Sequence, residues 1–150
     1  MIYLVDTGVL LRALNRDDPD SATFRRALLR LRREGHGLAV SFQNIAEFWN
    51  VSTRPAMARG GMGRSVEETE RRVRSIERIY SFLPEDAATY PIWRRLISEN
   101  QVRSAKIHDA RLAALMLSHS VTHIITVNLA DFSRFKGIVA QSPSDVLAIS

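Results

Sequence analysis

The chain alternates short, continuous apolar runs with longer stretches in which apolar residues recur every three or four positions. Met1 to Asp6, built on Ile2-Tyr3-Leu4-Val5, is of strand length and rich in β-branched and aromatic residues, as are Leu38 to Val40 and His123 to Val127. All three read as buried strands. Leu83-Pro84 marks a further strand end, and Gly137 to Gln141 one more strand. Between them the period changes to that of helices. Val9 to Leu14 gives a helical turn after the Thr7-Gly8 break, and Asn15 to Asp20, with its Asp-Pro step, gives a loop. Ser21 to Glu34 carries Phe24, Ala27, Leu28 and Leu31 on one stripe, with arginines over much of the remainder and Gly35 at its end.

Ser41 can cap a helix that runs from Phe42 to Val51 and carries Ile45, Phe48 and Trp49. Arg54 to Arg64 holds Pro55 and three glycines and reads as a flexible loop. Ser65-Val-Glu-Glu68 has the pattern of a capping box and opens a helix to about Tyr80, with Val66, Val73, Ile76 and Ile79 or Tyr80 inward. Asp86 to Asn100 is helical in period, with Pro91 blurring its start. Ile107 to Ser118 is a strongly apolar helix, and Pro143 to Ile149 a closing turn. Short buried strands alternating with helices predict a three-layer α/β/α sandwich around a central, mainly parallel sheet. With no repeat, linker or low-complexity segment, residues 1-150 read as a single domain.

Against this pattern four acids are misplaced. Asp6 ends the first apolar run. Glu47 lies inside the helix Phe42 to Val51, Asp109 opens the helix from Ile107, and Asp131 follows the strand His123 to Val127. A lone carboxylate costs several kcal/mol to desolvate, so such positions imply pairing or metal binding. In parallel α/β sheets ligands gather at the carboxyl ends of strands, where Asp6 and Asp131 fall.

Charge sharpens the contrast. Lys and Arg number 21 against 16 Asp and Glu, a net +5, and the pI is about 10.4. An acidic pocket in a basic protein suits metal-dependent work on a polyanion, although arginines solvated on helix faces explain the charge equally well. The absence of cysteine excludes disulfides and thiolate metal sites and points to a reducing cytosol. No apolar stretch is long enough to span a bilayer, and Asp6 comes too early for a signal peptide.

Taken together, Val5-Asp6-Thr7, Asn44-Ile-Ala-Glu47-Phe48, His108-Asp109-Ala-Arg111 and Thr126-Val-Asn128-Leu-Ala-Asp131-Phe132 resemble the PIN-domain nucleases, and most of all the VapC-like ribonuclease toxins of bacterial type II toxin–antitoxin pairs. The resemblance spans the chain in order and length, and Ser52-Thr-Arg54-Pro55 with its glycine-rich continuation shares it. It implies endonucleolytic cleavage of RNA with Mg2+ or Mn2+, an antitoxin partner and a homodimer. It also implies that Asp6, Glu47, Asp109 and Asp131 are the catalytic, metal-binding acids, with Asn128 a nearby alternative to the last.

Such acids could hold one or two hard cations, since magnesium takes one or two carboxylates and keeps waters. Two ions ~3.5–4 Å apart would flank the scissile phosphate, activating water and neutralising the leaving oxygen. Asp6 and Asp109 would ligate directly. Glu47 would hold metal or orient the attacking water, and Asp131 would bind a second ion or a water of the first. Thr7 and Asn128 could hydrogen-bond the ligating groups. Arg54, Arg59 and Arg64 could grip phosphates, or form an ordinary solvated loop. Plainer readings stand beside these: Asp6 as a turn cap, Glu47 as a surface residue, Asp109 as a dipole partner, Asp131 as a turn cap. His108 diverges from Asp109 on a helix and reads as structural or substrate-facing. Trp49 and Trp93 suit core or interface better than base stacking.

Three other functions compete. A housekeeping RNA-processing nuclease would share the whole site. A phosphoryl-transfer enzyme with Asp6 as nucleophile would want an acid two residues on, where Gly8 stands, and a lysine at the sheet edge. Lys106 and Lys136 are the only lysines, and neither follows a core strand closely. A non-catalytic nucleic-acid-binding module would need no converging acids.

Overall fold

The computed structural model describes residues 1–149. Five strands, β1 (Ile2–Val5), β2 (Gly37–Ser41), β3 (Ser81–Leu83), β4 (His123–Ile125) and β5 (Val139–Gln141), form one sheet in the order β3-β2-β1-β4-β5. Every neighbouring pair is parallel. Parallel pairing forces each connection across a face of the sheet, and helices make those crossings. They are α1 (Thr7–Ala13), α2 (Ser21–Arg33), α3 (Phe42–Thr53), α4 (Val66–Ile79), α5 (Thr89–Glu99), α6 (Ile107–Ser118), α7 (Leu129–Ser133) and α8 (Pro143–Ala148), with a 3-10 turn at Ser104–Lys106.

Side-chain alternation sorts the core into two layers. Tyr3, Val5, Leu38, Val40 and Ile125 face α1, α2, α3, α4 and α8, where Leu10, Phe24, Leu28, Phe48, Ile76 and Val146 meet them. Leu4, Ala39 and Ile124 face the opposite way, toward Leu96 of α5, Leu112 and Met116 of α6, and Phe132 of α7. Both faces of the sheet are covered, so its strands are apolar runs rather than alternating ones. The expected sandwich is the observed one.

Three local readings need correction, and one element has no counterpart in the sequence reading. The segment Leu129–Ser133 is helical, but five residues are too few to show a helical period in sequence. Helix α5 starts at Thr89, not Asp86, because the Asp86 carboxylate accepts from the N–H groups of Ala88 and Thr89 and holds a turn there; Pro91 then falls in the first turn, where a missing N–H costs nothing. Only half the capping box at Ser65 forms. Its hydroxyl accepts from the Glu68 N–H, while the Glu68 carboxylate turns to Arg72. The inward stripe of α4 holds for Val73 and Ile76, but Val66 and Ile79, at the helix ends, are exposed.

The segment 54–64 is not a loose loop. Its backbone folds back on α3, with Met62 N–H donating to Val51 O, Gly63 N–H to Arg54 O and Arg64 N–H to Ser52 O. The fold-back requires glycine at 61, where a Cβ would stand 2.2 Å from the Pro55 carbonyl oxygen.

Candidate active site

The sheet changes direction of winding at β1, since the chain leaves it for β2 on one side and returns through β4 on the other. A crevice opens at such a switch point, outside the carboxyl ends of β1 and β4. Asp6 is the first residue beyond β1, and its N–H is held by the Ile125 carbonyl at 3.0 Å. One carboxylate oxygen accepts from the Thr7 N–H at 2.8 Å, and the other from the Thr126 hydroxyl at 2.7 Å. Asp6 does cap α1, yet it stands 7% exposed in the company of other acids. Burial raises its pKa, the two hydrogen bonds oppose that rise, and the charges of Glu47 and Asp131 add to it.

Helix α3 starts at the carboxyl end of β2, so its second turn reaches the same crevice. Glu47 accepts from the Thr7 hydroxyl at 2.8 Å and from the Gln43 amide at 2.9 Å. Asn44, wholly buried, donates to the Thr7 hydroxyl at 3.2 Å, and its own oxygen accepts from the N–H and hydroxyl of Ser41. Thr7 is thus the hinge between the Asp6 and Glu47 carboxylates, and the capping box of α3 fixes it from behind.

Asp109 lies in the first turn of α6, half buried, and no donor among the described residues reaches its carboxylate. Burial, then the charges of Asp131 and Asp6, raise its pKa to about 6; Lys106 opposes and Glu47 adds. Asp131, in the first turn of α7, pairs with Lys106 Nζ at 2.7 Å. The four acids of α1, α3, α6 and α7 therefore share one electrostatic neighbourhood.

Thr7 hydrogen-bonds Asp6 through its N–H and Glu47 through its hydroxyl. Asn128 is exposed, and among the described residues only its backbone N–H joins the network, donating to the Thr126 hydroxyl at 3.0 Å. Thr126 does the work that Asn128 is expected to do: fully buried, it steadies Asp6. Its signal in sequence is a hydroxyl beside the last strand residue, two positions before Asn128. Lys106 also escapes sequence reasoning. It reaches the crevice from a 3-10 turn rather than from a strand, which meets one demand of an aspartate-nucleophile enzyme. Gly8 still leaves the other unmet. Of the loop arginines, Arg54 donates to the Arg59 carbonyl at 3.0 Å and Arg64 to the Ser52 hydroxyl at 3.4 Å. Arg59 is exposed. His108 is exposed, and its carbonyl accepts from Gln43 at 2.9 Å.

Among the described residues no three acidic or imidazole groups close up into a ready-made metal cage. Like charges spread apart without a counter-ion, and Lys106 already neutralises one of them. The donor set nonetheless fits a hard cation. All four candidates are carboxylates, and Asp109 keeps its oxygens free. Magnesium needs only one or two of them, completing its shell with water.

A family model described as PIN domain matches residues 3–138. No curated protein matches the sequence. Among solved structures, the chain is similar to VapBC2 from Rickettsia felis bound to a promoter DNA fragment (TM-score 0.71, 16% identity, 95% of this chain and 98% of that one). It is similar to VapBC-1 from nontypeable Haemophilus influenzae (TM-score 0.66, 18% identity, 96% and 99%). It is also similar to the Mycobacterium tuberculosis toxin VapC20, which cleaves the sarcin-ricin loop (TM-score 0.57, 16% identity, 83% and 87%). At these identities the likeness shows the fold.

Proposed function

The chain belongs to the PIN domain family, and we propose that it is a metal-dependent endoribonuclease, the toxin of a toxin–antitoxin pair. The observation that carries this reading is the mutual coupling of Asp6, Glu47, Asp109 and Asp131 at the switch point of the sheet. Carboxylates that raise one another's pKa would repel a phosphate unless a cation stood between them. Asp6 and Asp109 would hold Mg2+ or Mn2+ directly, with Glu47 and Asp131 binding it or its waters. The bound cation supplies charge neutralisation at the scissile phosphate and acidifies water. Glu47, steadied by Thr7 and Gln43, orients the attacking water by accepting its proton-bearing side. Thr126 and the Thr7 N–H favour the ionised form of Asp6 and aim it, and Asn44 fixes Thr7. Support for RNA as substrate and for an antitoxin partner comes from the similar folds of an RNA-cleaving toxin and of VapBC complexes. A homodimer rests on the resemblance alone.

The direct test is incubation with structured RNA in magnesium or manganese and in chelator. Internal cleavage that requires the metal is expected; no cleavage in either condition, or equal cleavage in both, contradicts the proposal.

Lys106 competes with metal for Asp131. The Lys106→Met variant is expected to bind Mn2+ several-fold more tightly, by calorimetric titration, because an opposing charge leaves the site. Unchanged affinity would remove Asp131 from the metal site. For the loop, Arg59→Gln is expected to lower the slope of log RNA affinity against log salt by about ~0.7, the value for one phosphate contact on a single strand. Adding Arg54→Gln and Arg64→Gln should lower it further only if those groups leave their loop partners for RNA. An unaltered slope in all three would make the loop a bystander.

A further inference from the structure

Beside the acids lies a cavity of about 320 Å³, lined by Tyr90 and Trp93 of α5, Ile107, His108 and Arg111 of α6, and Glu85. Resting on the nuclease reading, we infer that this cavity takes one unstacked nucleobase of the RNA, next to the scissile phosphate. Its volume is at the low end for ligand pockets (~300–1,000 Å³), enough for a planar base and part of its sugar. One wall is aromatic. Tyr90 is 66% exposed, and its ring lies 6.1 Å from that of Trp93 at a tilt of 36°. The Trp93 indole N–H is spent on the Ile107 carbonyl at 2.9 Å, which fixes the ring against the first turn of α6. Sequence alone favours core or interface packing for Trp93; the ring packs against the core from one side and is only partly buried on the cavity wall.

The polar groups also suit a base. Arg111 pairs with Glu85 at 2.6 Å, both about half exposed, so a donor and an acceptor stand side by side where a base edge would meet them. Asp86, also on the cavity wall, keeps its charge, with one carboxylate oxygen held by the N–H groups of Ala88 and Thr89, so this side of the cavity suits a base edge and not a phosphate. Single-stranded RNA is read in this way, by bases splayed onto aromatic and guanidinium planes.

Position decides for RNA over an apolar side chain of another protein. His108 and Ile107 of the cavity immediately precede Asp109. Gln43 bridges the two sites, donating both to Glu47 and to the His108 carbonyl, each at 2.9 Å. A nucleotide with its phosphate at the acids therefore has its base within one step of the cavity.

The test uses the protein in saturating magnesium and follows tryptophan emission during titration with the four nucleoside 5′-monophosphates, with ribose 5-phosphate as the baseless probe. Saturable quenching by nucleotides and none by ribose 5-phosphate is expected. Trp93→Phe should abolish the signal. Tyr90→Ala, an exposed position, should weaken binding about tenfold, within the range of one lost base-stacking contact, and Tyr90→Trp should restore it. Equal responses to nucleotide and ribose 5-phosphate, persistence of the signal in Trp93→Phe, or an unaltered Tyr90→Ala would overturn the inference. So would a Tyr90→Ala that binds nucleotides normally but loses self-association or a protein partner. Metal-dependent RNA cleavage by wild type, with no base-dependent quenching, would sink the cavity alone; base-dependent quenching without cleavage would sink the nuclease reading alone.

Discussion

Asp6→Asn and Asp109→Asn are each expected to lower RNA cleavage by about 10²-fold or more at matched magnesium, with the fold intact. Losing one ligand charge removes several kcal/mol of stabilisation at the reacting phosphate, of which ~2.7 kcal/mol already corresponds to 10²-fold. The fold should survive for different reasons at the two positions. Asp109 accepts no hydrogen bond from the described residues, so its amide replaces a strained charge with a neutral group. Asp6 accepts from Thr7 N–H and from the Thr126 hydroxyl. Its asparagine can keep the first bond and donate the second to the same hydroxyl. Single-turnover cleavage assays with circular dichroism on the same samples check this. Wild-type rates in both folded variants would remove these residues from the chemistry.

The second large effect needs no substrate. The Asp109 carboxyl titrates near 6 in the folded, metal-free protein because burial and the neighbouring acids disfavour its charge. A raised folded pKa means that the fold binds this proton more tightly than the unfolded chain does. The stabilisation is fully present below the ordinary carboxylate range and is lost as pH rises through about 6. At pH 7.5 the ionised group is a liability. Because Asp109 is half exposed, solvent screening reduces that liability to on the order of 1 kcal/mol. In chelator at pH 7.5, Asp109→Asn should therefore melt ~2–4 °C above wild type, and the gap should close below pH 5. Saturating magnesium should stabilise wild type by about 2.7 kcal/mol at a hundredfold excess over Kd, and the variant much less. If Asp109 only favours its helix dipole, the variant melts at or below wild type and magnesium shifts neither protein.

The parts of this molecule that sequence shows are those fixed by long, periodic or buried segments. The runs at Ile2–Val5 and His123–Ile125 are apolar because both faces of their sheet are covered, and that density identifies them without any contact. Asp6 and Asp109 are visible for the converse reason, as charges in segments that otherwise read as core. What stays hidden depends on tertiary approach. Nothing in the run Arg103 to Ile107 says that Lys106 will meet Asp131, 25 positions away. Thr126 is one hydroxyl among many until β4 and β1 pair and bring it to Asp6. Trp93 lies on the inward stripe of α5 with Thr89 and Leu96, and Tyr90, one residue off that stripe, faces outward. The Arg54–Arg64 segment misleads because glycine and proline mark both loose loops and tight ones; the backbone bonds to Val51 and Ser52 decide which.

The most direct measurement is a crystal structure of the protein soaked in manganese, with anomalous scattering to locate the ion. The account predicts a peak in the crevice between the carboxyl ends of β1 and β4, ligated by Asp6 and Asp109, with Glu47 and Asp131 on it or on its waters and Lys106 drawn off Asp131. Manganese bound elsewhere, or a crevice that stays free of it at saturating concentration with the Lys106–Asp131 pair unbroken, would contradict it.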